Sequence, residues 1–444
     1  MKIPQTPENW RKTLRKEQNK IFNLLNQKRI LKTITEFNNQ YIHWDKLRYK
    51  KIPKNTDAKH IWTLMKLFRS EKYYPLKFNG FNFKYTLLQS TFQKLHIFDK
   101  NSAGNLEIEE GSLSMRGRDR FIISSLMEEA IASSQLEGAV TTRKIAKEML
   151  KQNRKPKSYD EKMIVNGYRT LKMIIEKKET KLTKKCLLEI QKSITKDTLK
   201  DPLDEGKFRD NNEVVVGDDI EIEKIYHTPP DYKKVDSLMD ELCRFANEDS
   251  GDFIHPIIKG IILHFLIGYI HPFNDGNGRT ARAIFYWYVI SRGYWLFEYM
   301  AISKKILSSR INYGRAYLYT ETDENDLTYF IEFNIKAIYE ALLEMREYIK
   351  RKQREQKEAI KMVGSIKGIN FRQATILKDL MESKNKIITI REIEETYNVV
   401  YQTARSDLLY MASLGYIDMK KIKNKFIFVF TEQNEEIIKK SIKR

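Results

Sequence analysis

The sequence predicts a mainly α-helical protein, with one β-hairpin set into a helical core and a small C-terminal unit of helices followed by two strands. Two observations carry this. Apolar residues recur every three to four positions along most of the 444 residues, the spacing of an amphipathic helix. Runs rich in β-branched and aromatic residues, bounded by turn residues, are confined to 213–228 and the stretch after Gly415.

The elements follow in order. Leu24, Leu25, Ile30, Leu31, Ile34 and Phe37 keep helical spacing. Residues 41–110 are mixed, with Pro53, Pro75 and Asn79-Gly80 breaking helices, a turn at Asn101–Gly104 and an exposed basic connection at Ser112–Arg120. One long helix is expected from Arg120 to Gln152, then helices at Lys162–Lys177 and Thr183–Ile194. Val214–Val216, Gly217-Asp218-Asp219 and Ile220–Tyr226 read as strand, turn and strand. Helices resume at Val235–Ala246, Pro256–Ile270 and after Asn277, and a charge run near 343–360 reads as a solvated helix or linker. The layout is an N-terminal helical region at 1–110, a core domain at 111–345, a charged linker or helix at 346–368 and a separate unit at 369–444.

Composition narrows the function classes. At 41% hydrophobic, 11% aromatic and low Gly and Pro, the chain is foldable and globular, not collagenous or wholly disordered. The 80 Lys and Arg against 59 Asp and Glu give a net charge of +21, which favours phosphates or polyanions, or simply reflects a lysine-rich proteome. Two cysteines, Cys186 and Cys243, cannot form a disulfide framework. The polar start lacks a signal peptide, and the apolar stretch near Gly260–Ile270 is too short to cross a bilayer. A soluble cytoplasmic protein without a membrane partner is expected.

The chemistry concentrates in His271-Pro272-Phe273-Asn274-Asp275-Gly276-Asn277-Gly278-Arg279-Thr280-Ala281-Arg282, held between two apolar helices. Gly276-Asn277-Gly278 lets the backbone turn tightly at a helix start, where N–H groups and the helix dipole make an anion cradle. Arg279 and Arg282 share one face of the first turn, and arginine binds phosphate oxygens in a bidentate way. Asp275 suits Mg²⁺, which takes one or two carboxylates plus substrate phosphates. His271 has the chemistry of a general base near neutrality. Together these residues describe attack on a nucleotide phosphate.

The string resembles the signature of Fic (filamentation-induced-by-cAMP) domains, His-x-Phe-x-Asp/Glu-Gly-Asn-Gly-Arg-x-x-Arg, with every fixed position matched, Phe273 included. It departs at Ala281, where the family often has glycine. The resemblance implies an all-helical core and transfer of AMP from ATP to a protein hydroxyl. In that reading His271 deprotonates the target Ser, Thr or Tyr and Asp275 holds Mg²⁺. Gly276, Asn277 and Gly278 cradle the α- and β-phosphates. Arg279 and Arg282 take the remaining charge, Arg282 nearer the γ-phosphate. Ser133-Ser134-Gln135-Leu136-Glu137-Gly138 resembles the family's inhibitory motif, Ser/Thr-x-x-x-Glu-Gly/Asn, which implies that Glu137 competes with the γ-phosphate for Arg282. Residues 213–228 resemble the flap hairpin, with Ile225, Tyr226 and His227 as candidates for docking a target segment by strand pairing. Gly206-Lys207-Phe208-Arg209 also fits the family pattern, and Tyr313 sits where an aromatic often lies near adenine.

The C-terminal unit reads as helix-turn-helix followed by a basic hairpin, Lys420–Lys425, and resembles a winged helix. Tyr401, Gln402 and Arg405 would enter a DNA major groove and the lysines would meet phosphates; docking or dimerisation is the other use of such a fold. The leading expectation is a self-inhibited protein adenylyltransferase acting on a target protein or on itself. The alternatives are removal of AMP or transfer of another phosphate-bearing group, and a non-enzymatic DNA-binding regulator whose core senses nucleotide.

Overall fold

A computed structural model describes residues 1–102, 115–217, 224–248, 252–366, 368–382, 387–422 and 425–442. The chain divides into two compact units. The first comprises Met1–Gly104, Arg169–Phe297 and Ile302–Tyr339; the second comprises Asn105–Tyr168, Glu298–Ala301 and Glu340–Arg444.

The first unit is built on two central helices, Pro256–Ile270 and Asn277–Ser291, packed against each other. Nearly every side chain of Pro256–Ile270 is buried, as a helix that is apolar all round must be. Pro256 opens it, where a missing N–H costs nothing, and His255 caps it by accepting from the Ile257 N–H at 3.2 Å. Gly260 brings the pair close: a Cβ there would lie 3.0 Å from Val289 Cγ1. Helices Lys184–Thr195 and Val235–Asn247 pack around this pair.

The N-terminal helices form a satellite core around Ile21, Ile30, Ile61 and Trp62. A buried polar seam joins them to the segment 323–329. Lys66 Nζ meets Asp323 Oδ1 at 2.8 Å, Arg69 donates to Tyr329 Oη at 3.0 Å, and Tyr41 and Tyr73 both donate to Asp326 Oδ2 at 2.7 Å. Asn79-Gly80, expected only to break helices, is instead the tip of an antiparallel hairpin, Tyr74–Phe78 with Phe81–Tyr85. Both tip residues have positive φ, 38° and 84°, the geometry for which Asn-Gly is favoured in two-residue hairpins.

In the second unit the expected long helix over 120–152 is two helices, Met115–Leu136 and Arg143–Lys151, so residues 115–120 are helical rather than a connection. Gly138, at φ 96°, breaks the run. Its N–H bonds Gln135 O and the Ala139 N–H bonds Ser134 O, a C-cap that glycine forms without Cβ strain. Thr142 then caps the second helix, accepting from the Ile145 N–H. The charged run lies in one 38-residue helix, Thr328–Ser365. The C-terminal helices Phe371–Glu382, Ile390–Tyr397 and Tyr401–Ser413 enclose a core with Leu377, Ile393, Leu408 and Phe428. Their sheet has three strands, not two. Ile387–Thr389 pairs with Lys425–Val429, which pairs with the edge strand Asp418–Ile422. The expected turn at 101–104 lies largely outside the described residues, as do Asp218-Asp219, most of the strand expected at 220–226, and Lys423-Asn424.

Candidate active site

The helix Pro256–Ile270 ends at His271, whose φ of 50° and ψ of 58° are left-handed, a conformation that strains a non-glycine residue. The strain is held by a closing hydrogen bond from the His271 N–H to Ile267 O at 2.9 Å. The imidazole Nδ1 stands 3.1 Å from Gly268 O. A carbonyl only accepts, so Nδ1 carries the proton and Nε2 carries the lone pair. The side chain is therefore set in the tautomer of a base.

The loop beyond is braced from within. Asn277 is buried, and its side chain spans the turn: Oδ1 accepts from the Phe273 N–H at 3.0 Å and Nδ2 donates to Phe273 O at 2.8 Å. The Asn277 amide is thus engaged in holding the loop, and its backbone starts the helix Asn277–Ser291. Phe273 is buried against Phe208, with ring centroids 5.5 Å apart. Gly276 has φ 82°, and a Cβ there would fall 2.7 Å from Thr195 Cγ2. Only glycine satisfies both the dihedral and the space.

Asp275 lies at the rim, its side chain 49% exposed. One carboxylate oxygen accepts from the Gly276 N–H, and the other is 3.7 Å from Arg279 Nη2. Arg279 is buried and donates to Ile194 O at 3.2 Å, yet its Nε has no partner among the described residues, and neither does the buried Asn274 Oδ1. Arg282 is buried one turn further on. The chain thus gathers His271, Asp275, Gly276, Gly278, Arg279 and Arg282 within one helix end, one loop and one helix start.

Two residues behind the loop were not singled out from the sequence or were assigned differently. His264 is buried and its Nε2 lies 2.8 Å from Tyr313 Oη. Burial, with Arg282 adding to it, pushes the His264 pKa down to about 3, so this ring is neutral. The hydroxyl of Tyr313, the adenine candidate, is directed at His264, and its ring packs with Phe330 and Phe333. No spacing in the sequence links positions 264 and 313.

Among the described residues the flap is two short strands, and Val214-Val215 lie outside them. Val216–Gly217 pairs with Ile225–His227, with an irregular register between Val216 and Gly217. Ile225 is 45% exposed. Tyr226 Oη donates to Met1 O at 2.9 Å. His227 is an anchor: Nε2 lies 2.7 Å from Tyr269 O and Nδ1 2.8 Å from Glu321 Oε2.

In the second unit, Ser133, Glu137 and Gly138 lie at the end of the helix Met115–Leu136; Ser134 Oγ donates back to Ala130 O at 2.8 Å, and Glu137 is exposed. In the C-terminal module Tyr401 and Gln402 are exposed at the start of the third helix, and Arg405 is half-buried one turn later.

Comparison with known proteins fits this geometry. A family model described as Fic/DOC family matches residues 181–289, the segment holding the flap, both central helices and the loop. The chain is similar to "Protein adenylyltransferase Fic" of Drosophila yakuba, 32% identical over 113 residues, 26% of this chain and 21% of that one. The protein of the same name from Drosophila ananassae is 31% identical over 121 residues, 27% of this chain and 22% of that one. The chain therefore spans about a fifth of the length of these curated relatives. Among solved structures, Fic-1 from C. elegans superposes with a TM-score of 0.51 at 18% identity, over 72% of this chain and 84% of that one, a likeness of fold. With the full loop signature inside it, the segment 181–289 is similar to the Fic/DOC family over that span.

Proposed function

We propose that this protein transfers AMP from ATP to a hydroxyl side chain of a target protein, and that Glu137 restrains the reaction. The observation that carries the reading is the tautomer of His271, fixed by Gly268 O, beside a glycine cradle and two buried arginines. Relatives that share this domain are named protein adenylyltransferases.

The target hydroxyl would approach His271 Nε2, which takes its proton as the oxygen attacks the α-phosphorus. The bond from that phosphorus to the bridging oxygen breaks, and pyrophosphate leaves. Backbone N–H groups at Gly276 and Gly278 and the start of the helix would hold the phosphates, that of Gly276 by exchanging its bond to Asp275. Arg279 Nε, buried without a protein acceptor among the described residues, is suited to a phosphate oxygen.

The residues present also fit a magnesium ion. The rim carboxylate of Asp275 has an oxygen beyond hydrogen-bond distance from its nearest cation, and one carboxylate plus substrate phosphates is the usual protein share of such a site. When bound, the ion would neutralise phosphate charge. Glu137, set by the Gly138 cap, would act by competing for Arg282. Tyr313 would line the adenine side through its ring, and Ile225 would offer a strand edge to the target.

The test incubates wild type, His271→Ala and Glu137→Gly with ATP labelled on the α-phosphate and a cell lysate. Labelling should rise in Glu137→Gly and fall by about 10²-fold or more in His271→Ala. The mass added to the target should be that of AMP. A phosphate adduct, or label unaffected by His271→Ala, would defeat the proposal.

A further inference from the structure

The carbonyl oxygens at the end of the helix Pro256–Ile270 would ordinarily lack partners. Here Tyr269 O is taken by His227 Nε2 at 2.7 Å, His271 O by Arg209 Nε at 2.9 Å, and Pro272 O by the Arg209 backbone N–H at 2.9 Å. Arg209 Nη2 also reaches Ile270 O at 3.5 Å and donates to Pro230 O. Its Nη1 donates to Asn211 O at 2.8 Å and Asn212 Oδ1 at 3.2 Å. Asn212 Oδ1 in turn accepts from the Tyr232 N–H at 2.8 Å.

One buried guanidinium therefore touches three places at once: the backbone of His271, the chain entering the flap and the chain leaving it. Among the described residues all its acceptors are backbone or amide oxygens. Burial pushes its pKa down, with Asp231 pulling the other way. A fork with five N–H groups can serve such divergent acceptors; an ammonium, a single point, cannot.

We propose that Arg209 is a positioning residue that locks the left-handed backbone of His271 and the base of the flap together, so that seating a target segment and aiming the base are one event. This rests on His271 being the base, and the experiment separates the two. In the Glu137→Gly background, kcat and KM are measured for wild type, Arg209→Lys and Arg209→Ala, together with ATP affinity. Both Arg209 variants should lose kcat by on the order of 10²-fold, and KM for the target should rise. ATP affinity should hold, because the cradle and the two loop arginines are untouched. Added guanidinium should restore part of the activity of Arg209→Ala, and methylammonium should not. Full activity in Arg209→Lys, or ATP affinity lost in step with kcat, would overturn the proposal.

A second readout needs no turnover. In protein with ¹³C-labelled histidine, the ring signal that disappears in His271→Ala should shift in Arg209→Lys; an unmoved signal also overturns the coupling. If the parent transfers no AMP while that signal shifts, the functional reading fails and the role of Arg209 stands.

Discussion

At the scale of single residues, His271 and His264 show how one helix holds two imidazoles in different surroundings. His271 sits at the helix end, half-buried, with Nδ1 directed at a carbonyl. His264, two turns earlier, is fully enclosed beside Arg282 and held to about 3. His43 in the N-terminal region is likewise pushed down to about 3, chiefly by burial, with Asp323 and Asp45 opposing. An unfolded histidine titrates near 6.5. Below that value the unfolded chain binds protons that these two native rings refuse, so stability present above about pH 6.5 drains away as pH falls toward 3. Melting temperature should therefore drop on acidification through this window. His264→Gln, which keeps a partner for Tyr313 but does not titrate, should flatten part of that slope. An unchanged slope would mean that the ring is protonated in the fold.

At the scale of elements, the two central helices depend on residues that are poor helix formers. Glycine inside a helix costs roughly 0.5–1 kcal/mol relative to alanine, yet Gly260 and Gly268 both lie in Pro256–Ile270. Close approach explains them: a Cβ on Gly268 would stand 2.4 Å from Tyr317 Oη, and Tyr317 stacks on Phe265 at 5.1 Å. Gly268→Ala should therefore destabilise by about 1–3 kcal/mol despite its better propensity, through overpacking. In a Tyr317→Ala background the same change should cost far less; a double-mutant cycle by denaturant unfolding measures the difference, and additive costs would refute the contact. Such contacts also mark the limit of what the sequence discloses. The twelve-residue loop was legible because its signals are contiguous: glycines, a helix start and two arginines three apart. Pro256–Ile270 was legible to the residue from its apolar run. The Asn79-Gly80 hairpin carries its signal in that pair, but the same two residues also break helices. The short strand Ile387–Thr389 was missed because three residues show no period. Arg209 meets His271, His227 meets Tyr269 and Glu321, and His264 meets Tyr313 across 42 to 94 positions of the chain, and no local pattern encodes such pairings.

At the scale of the whole molecule, the helix that ends just before Glu137 is embedded in the second unit rather than standing alone. Ala130 on it packs against Gly167, where a Cβ would lie 3.6 Å from Ala130 Cβ. The second helix of the C-terminal module, Ile390–Tyr397, packs against both Met115–Leu136 and Arg143–Lys151. The third helix and the edge strand both carry exposed residues. Arg372 and Gln373 bond Asp407 and fix the first helix to the third. Tyr401 is 46% exposed at the tip of the third helix, and every residue of the strand Asp418–Ile422 is exposed, Lys420 and Lys421 among them. Lys420 and Lys421 make this strand basic, and we propose duplex DNA as a partner for it, with docking of a protein as the alternative. Binding should weaken steeply with salt, because each phosphate contact releases counterions at a slope of about 0.9 per contact. Lys420→Glu with Lys421→Glu should lower that slope by about 2 at every sequence. Tyr401→Ala and Gln402→Ala should instead relax sequence preference with little change in slope, since contacts to base edges carry specificity and contacts to phosphates carry salt dependence. Titrating fluorescent duplexes of varied sequence at several salt concentrations measures both quantities. A shallow slope that none of these substitutions alters would show that the module docks a protein instead.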